Sequence, residues 1–155
     1  MIVIRKARAA DANSIQDLYR ALVNNPQVRV LPERVEQLAD AAATALLIAE
    51  RDGDVVGTAL VSFCADVMFQ AQPFAVVENF IVNANCRKCG IGSALMREVE
   101  QYCLAVDCSK SMLLSSSERV VAHEFFTKAG FSGSVKQGFV KYRRQFSTSH
   151  DTGPD

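Results

Sequence analysis

The sequence predicts a single α/β domain whose mixed, mostly antiparallel central sheet is flanked by helices. Three observations carry that prediction. Apolar runs of strand length alternate with stretches of helical periodicity. An Asp52-Gly53 turn joins two of those runs as a hairpin, so at least one pair is antiparallel. Elsewhere a strand, a helix and another strand follow in order, which calls for a crossover connection, so the sheet is not purely antiparallel.

In chain order, "IVIRKA" (2–7) reads as a first strand. Asp11 is placed to cap a helix in which Ile15, Leu18, Tyr19 and Leu22 share a face. "NNPQVRVLP" breaks that helix. A second begins at Pro32, with Val35, Leu38, Ala39 and Ala42 on one side. "ALLIAE" (45–50) and "DVVGTALVSF" (54–63) are the two arms of the hairpin, and "AVVENFIV" (75–82) is the next strand. "SALMREVEQYCLAV" (93–106) is a helix with Leu95, Val99, Tyr102, Cys103 and Val106 on its apolar face. "SMLLSS" (111–116) is a short strand. "RVVAHEFFTKA" (119–129) is a helix stopped by Gly130. "FSGSVKQGFVKYRRQF" reads as a final hairpin. The domain is expected to span residues 1–146, with 147–155 a polar, disordered tail.

Composition narrows the function. The 155 residues are 49% apolar and 22% charged, enough for a real core in one domain. Lys+Arg and Asp+Glu are equal at 17 each, which argues against a nucleic-acid or anionic-membrane coat protein. No apolar run reaches the ~18–20 residues that span a bilayer, and "MIVIRKAR" is charged too soon for a signal peptide. A cytoplasmic protein with five reduced cysteines is expected.

"NANCRKCGIG" (83–92) admits three readings. The cysteines Cys86, Cys89, Cys103 and Cys108 have a spacing within sight of a zinc site. However, Cys103 lies on an apolar helical face, and some 14 helical residues, roughly 20 Å, would separate it from Cys89. Cys86-x-x-Cys89 near a helix start resembles a redox pair, but the strand order around it is wrong for a thioredoxin-like domain. The third reading is phosphate binding. Strand, then Arg87-Lys88-Cys89-Gly90-Ile91-Gly92, then helix presents free N–H groups, a partial positive charge and backbone that approaches an anion closely. It is neither a Walker A loop nor the dinucleotide fingerprint, and an ordinary strand-to-helix turn is the plain alternative.

"VENFIVNANCRKCGIGSALMREVEQYC" resembles the signature of the GNAT superfamily, the acetyl-CoA-dependent N-acetyltransferases: an apolar strand, Arg/Gln-x-x-Gly-x-Gly/Ala, then an amphipathic helix. "RVVAHEFFTKAGF" (119–131) resembles the family's next helix, Ala-x-x-Phe-Tyr-x-x-x-Gly-Phe. The element order matches over about residues 2–146. The resemblance implies a GNAT-like acyl-CoA N-acyltransferase fold, with acetyl-CoA as cosubstrate and no metal. It implies that amides of Arg87, Lys88, Cys89, Gly90, Ile91 and Gly92, with Ser93, hold the CoA pyrophosphate. Main-chain groups of Phe80, Ile81 and Val82 would pair with the pantetheine arm in a V-shaped cleft beside a bulged central strand. Phe125 and Phe126 would lie near the acetyl end.

Acetyl transfer to an amine needs a base, because a free alkylamine is mostly protonated at neutral pH. Glu78 is the candidate, a lone acid in an apolar strand; the alternative is an exposed or ion-paired strand glutamate. A backbone N–H of the central strand would steady the oxyanion. The usual general acid is missing: Phe126 stands where many members have Tyr. His123 and Tyr142 are substitutes, although packing or capping is the favoured role for His123. Cys103 and Cys108 are expected in or near the core, and Cys86 exposed. The acceptor is a primary amine, expected on a small molecule and entering beside "YRALVNNPQVRVLPE". The alternatives are a protein or peptide acceptor, or a catalytically weak acetyl-CoA-binding module. No nucleic-acid or membrane partner is expected. Homodimers are common in the family.

Overall fold

The computed structural model describes residues 1–147; the expected disordered tail, apart from Ser147, lies outside the described residues. The chain divides into two compact units, Met1–Ser116 and a second beginning at Ser117.

The first unit is a five-stranded sheet, β1 (Ile2–Lys6), β2 (Thr44–Arg51), β3 (Asp54–Cys64), β4 (Phe74–Val82) and β5 (Ser111–Leu113), in that spatial order. The first three pairings are antiparallel and β4–β5 is parallel. The sheet is therefore mixed and mostly antiparallel, and the crossover to β5 is made by α3 (Ile91–Val106). Asp52 and Gly53 both have positive φ, 52° and 89°, as a two-residue hairpin turn requires.

Helices cover both faces. α1 (Ala12–Val23) and α2 (Pro32–Ala39) lie on one, where Ala12, Ile15 and Val35 pack with Ala7, Leu46 and Ile48. α3 lies on the other, where Ile91 packs with Ala49 and Val56. Leu95, Met96 and Val99 are buried along the same helix. Pro32 occupies the first turn of α2, where its missing N–H costs nothing.

Several expectations are corrected. Asp11 does not cap α1 with its side chain. Its carboxylate instead accepts from the Arg8 amide at 2.8 Å and from Arg5 at 2.8 and 3.0 Å, because a nearby guanidinium outcompetes the helix amides. α2 ends at Ala39, so Ala42 is not on its face. Val106 is exposed: it is the last residue of α3, where the apolar stripe runs past the sheet. β5 stops at Leu113 rather than residue 116.

The second unit contains α4 (Val120–Lys128), followed by Gly130 at φ 98°. Phe126 is buried and meets the rings of Phe125 and Phe131 edge-on. The expected hairpin over 131–146 does not form; among the described residues that stretch holds only the single turn Arg143–Gln145. Val135, Phe139, Val140 and Phe146 are exposed, so the alternating pattern that suggested strands has no sheet face to bury into. No helix among the described residues is long and apolar enough to cross a membrane.

Candidate active site

The centre of the first unit is β4 and the loop that leaves it. Opposite β3, Thr58 pairs with Ile81 and Leu60 with Glu78, so Asn79 and Phe80 together face the single residue Ala59. This is a bulge, and Asn79 has the left-handed φ of 54° that a bulge often needs. Asn tolerates that conformation better than most side chains.

On the other side β4 pairs with β5 only at Ala75, Val76 and Val77. Beyond Val77 no residue of β5 pairs with it, so the two strands part at the bulge. The parting lies at the C-terminal end of β4, beside the segment Phe80–Val82. The bulge and the parting are both features the resemblance implied.

The loop follows directly. A turn at Ala84–Cys86 is held by the Asn83 side chain, which accepts from the Asn85 amide at 3.0 Å. Lys88 and Gly90 both have positive φ, 64° and 81°. Gly90 is the residue before α3, and no side chain caps the helix there. A Cβ built on Gly90 would meet nothing within 4 Å, so the space above the loop is open. Arg87, Lys88, Cys89, Gly90 and Ser93 are exposed, Gly92 is half-buried, and Ile91 turns into the core. The helix thus begins with no side-chain cap and its positive dipole end in open space, just after two exposed cations, the arrangement of a candidate anion cradle.

All five cysteines are free thiols. Cys86 is half-buried against the Ile2, Ile4 and Val82 side of the core, not exposed as expected, because the turn at 84–86 rolls its side chain inward. Cys89 is exposed and its thiol lies 3.6 Å from the Arg87 carbonyl. Cys103 and Cys108 are half-buried; burial is the main cause that pushes the Cys103 thiol up to about 11. Among the described residues no group of three or more His, Cys, Asp or Glu could hold a metal ion.

Glu78 is exposed, so the expectation of a buried strand carboxylate is corrected. It stands opposite Leu60, and antiparallel partners point to the same face. Leu60 packs with the α1–α2 cluster, which sets Glu78 on that face, beside the bulge.

There the sheet, α1, α2 and the segment between the helices border a half-open cavity of about 280 Å³. Asn79 and Tyr19 are its polar walls, and Leu60 borders it. Tyr19 is mostly buried, which pushes its hydroxyl up; polar contact with the side chains of Asn79 and Thr58 opposes the shift. Thr58 gives its one proton to the Leu47 carbonyl at 2.8 Å, so toward Tyr19 it can only accept. The sequence marked the segment from Tyr19 to Glu33 for the acceptor but not Tyr19 or Asn79 individually. Their meeting is a long-range contact across the bulge, and the only sequence signal was an Asn inside a strand.

The remaining candidates belong to the second unit. His123 is half-buried; its amide donates to the Arg119 carbonyl and its carbonyl accepts from the Thr127 hydroxyl at 2.9 Å. Tyr142 is exposed, with the Arg144 guanidinium 4.9 Å from its ring centre.

Comparison with known proteins agrees with this arrangement. The family described as Acetyltransferase (GNAT) family matches residues 13–131. An aminoglycoside N(6')-acetyltransferase type 1 from Stenotrophomonas maltophilia is 29% identical over 133 residues, 83% of this chain and 84% of that protein. A putative acetyltransferase from Agrobacterium tumefaciens str. C58 superposes with a TM-score of 0.79 at 24% identity, over 91% of this chain and 99% of that one. The structure of AAC(6')-Iy in complex with a CoA-linked bisubstrate analogue gives 0.76 at 20% identity, over 92% and 99%. At these identities the solved structures establish the fold.

Proposed function

Because the chain belongs to the GNAT family of acetyltransferases, we propose that it moves the acetyl group of acetyl-CoA directly to a primary amine of a small molecule, with both substrates bound together. The observation that carries this reading is the juxtaposition on one strand: the bulge at Asn79–Phe80, the parting from β5 after Val77, and the open cradle at Gly90.

In this reading the uncapped amides at the start of α3 hold the pyrophosphate, with Arg87 and Lys88 adding charge and Ser93 a hydroxyl. Main-chain groups of Phe80, Ile81 and Val82 align the pantetheine arm as an added strand. Acetyl-CoA supplies an activated carbonyl and a thiolate leaving group. Glu78 takes the ammonium proton of the acceptor, directly or through water, which frees the nitrogen lone pair. A backbone N–H at the bulge donates to the oxygen where negative charge develops. The thiolate is already a good leaving group and takes its proton from solvent. A small acceptor is favoured by the cavity of about 280 Å³ lined by Asn79, the neighbour of Glu78 in β4. A second reading, an aminoglycoside acceptor, is favoured by the named activity of the Stenotrophomonas relative.

Calorimetric titration with acetyl-CoA and CoA tests the first half. Both bind the intact protein, and a Gly90→Val/Gly92→Val variant loses the binding. Glu78→Gln then tests the second half: kcat falls by ~10²-fold or more while acetyl-CoA affinity is kept. Failure of the intact, folded protein to bind either nucleotide overturns the assignment of this cradle.

A further inference from the structure

The cavity between α1, α2 and the sheet joins an aliphatic floor to charged borders. Its floor is aliphatic, built from Ile15, Val35, Leu38, Leu46 and Leu60. Two guanidinium groups border it: Arg29, in the connection between the helices, and Arg34, on α2. No acidic side chain lines it. Two nearby acids are already engaged. Glu36 pairs with Arg8 at 2.8 Å and accepts from the Ala9 amide, and Asp11 is held by Arg5. Among the described residues neither Arg29 nor Arg34 has an ion-pair partner; Arg34 reaches only the neutral Gln37, at 3.1 Å.

We infer that this cavity takes a small amine bearing an apolar body and a carboxylate, with the carboxylate held by Arg29 and Arg34. The inference rests on the acetyl-transfer reading for the fate of the amine. The two polar borders of the cavity differ in kind. Asn79 stands on the sheet and Tyr19 on α1, with Glu78 beside Asn79 along the strand, so an ammonium is drawn to that border. The arginines mark the other, and a guanidinium matches a carboxylate with two parallel donors. An α-amino acid carries both charges on one carbon, bridges the two borders from there, and lays its aliphatic or aromatic side chain on the floor.

A polyamine sugar does the opposite. Each further ammonium would have to sit near two guanidinium groups with no acid among the lining residues to receive it.

The test uses the full chain, acetyl-CoA and matched acceptor pairs. Leucine, methionine and phenylalanine are compared with their decarboxylated amines, and kanamycin is added as the polycation. Release of CoA and the acetylated product are quantified by chromatography. In at least one pair the amino acid is expected to show a kcat/KM about tenfold or more above its decarboxylated partner. Kanamycin is expected to be poorer still. An Arg29→Gln/Arg34→Gln variant keeps its melting temperature, because both side chains are exposed, and loses the preference through KM. Preference for the decarboxylated amines or for kanamycin overturns the inference, as does a preference that survives in the double variant. If no amine is turned over, binding of N-acetyl-leucine, N-acetyl-methionine and N-acetyl-phenylalanine is followed by ligand-observed NMR. Saturable binding that the double variant loses upholds the cavity's charge preference while the acetyl-transfer reading fails. Absence of binding overturns the inference.

Discussion

Asp11 is one of two polar residues buried in the described chain, and it shows how far a local rule carries. Its position before a helix reads as a cap, and the backbone does place it at the N-cap. What the sequence could not show is that Arg5, across a strand end, takes both carboxylate oxygens. Asp11→Ala leaves Arg5 and the Arg8 amide without their acceptor. The expected loss is about 2 kcal/mol by urea denaturation, below the ~3–5 of a fully buried pair because Arg5 stays partly in water. Arg5 is also the main reason the Asp11 carboxyl is held below its ordinary value of 3.8. A depressed carboxylate stabilises fully above the unfolded value, and that contribution is lost as pH falls through the lower folded one. Between pH 5 and lower pH the wild type therefore loses more stability than Asp11→Asn, which has no proton to gain there. Phe126 was legible as the residue standing where a tyrosine is usual.

The strand and helix pattern was legible wherever an element buries one face. The hairpin at Asp52-Gly53, the start of α2 at Pro32 and the end of α4 before Gly130 all carry local chemistry that fixes them. The final hairpin was misread because alternation alone cannot say whether a sheet is there to receive it. The bulge in β4 was expected only through the family resemblance, since two residues opposing one is a property of the pair of strands. It now gives a test that separates backbone from side chain. Asn79→Ala puts an ordinary side chain at φ 54° and is expected to cost about 1 kcal/mol. Asn79→Gly relieves that strain, so its melting temperature should recover. Both variants lose the amide beside Tyr19, so in both the KM for the acceptor should rise while acetyl-CoA affinity holds.

At the scale of the whole molecule, the first unit was nearly all legible and the second only through α4. Residues 131–147 carry no ladder hydrogen bonds among the described residues, and backbone of that kind opens to proteases more readily than a sheet does. Brief trypsin treatment is expected to cut first after Lys136, Lys141, Arg143 or Arg144, with the fragment carrying the sheet surviving, as intact-mass measurement would show. The early end of β5 reaches further than catalysis. A strand whose neighbour stops after three residues is a template for any extended chain that drifts past, and the end of β4 is such a place. If the pantetheine arm is what completes that edge, the cosubstrate is also a guard against misassembly. An empty enzyme would then cloud on warming sooner than one kept with excess CoA, and its shelf life would follow the nucleotide in the buffer.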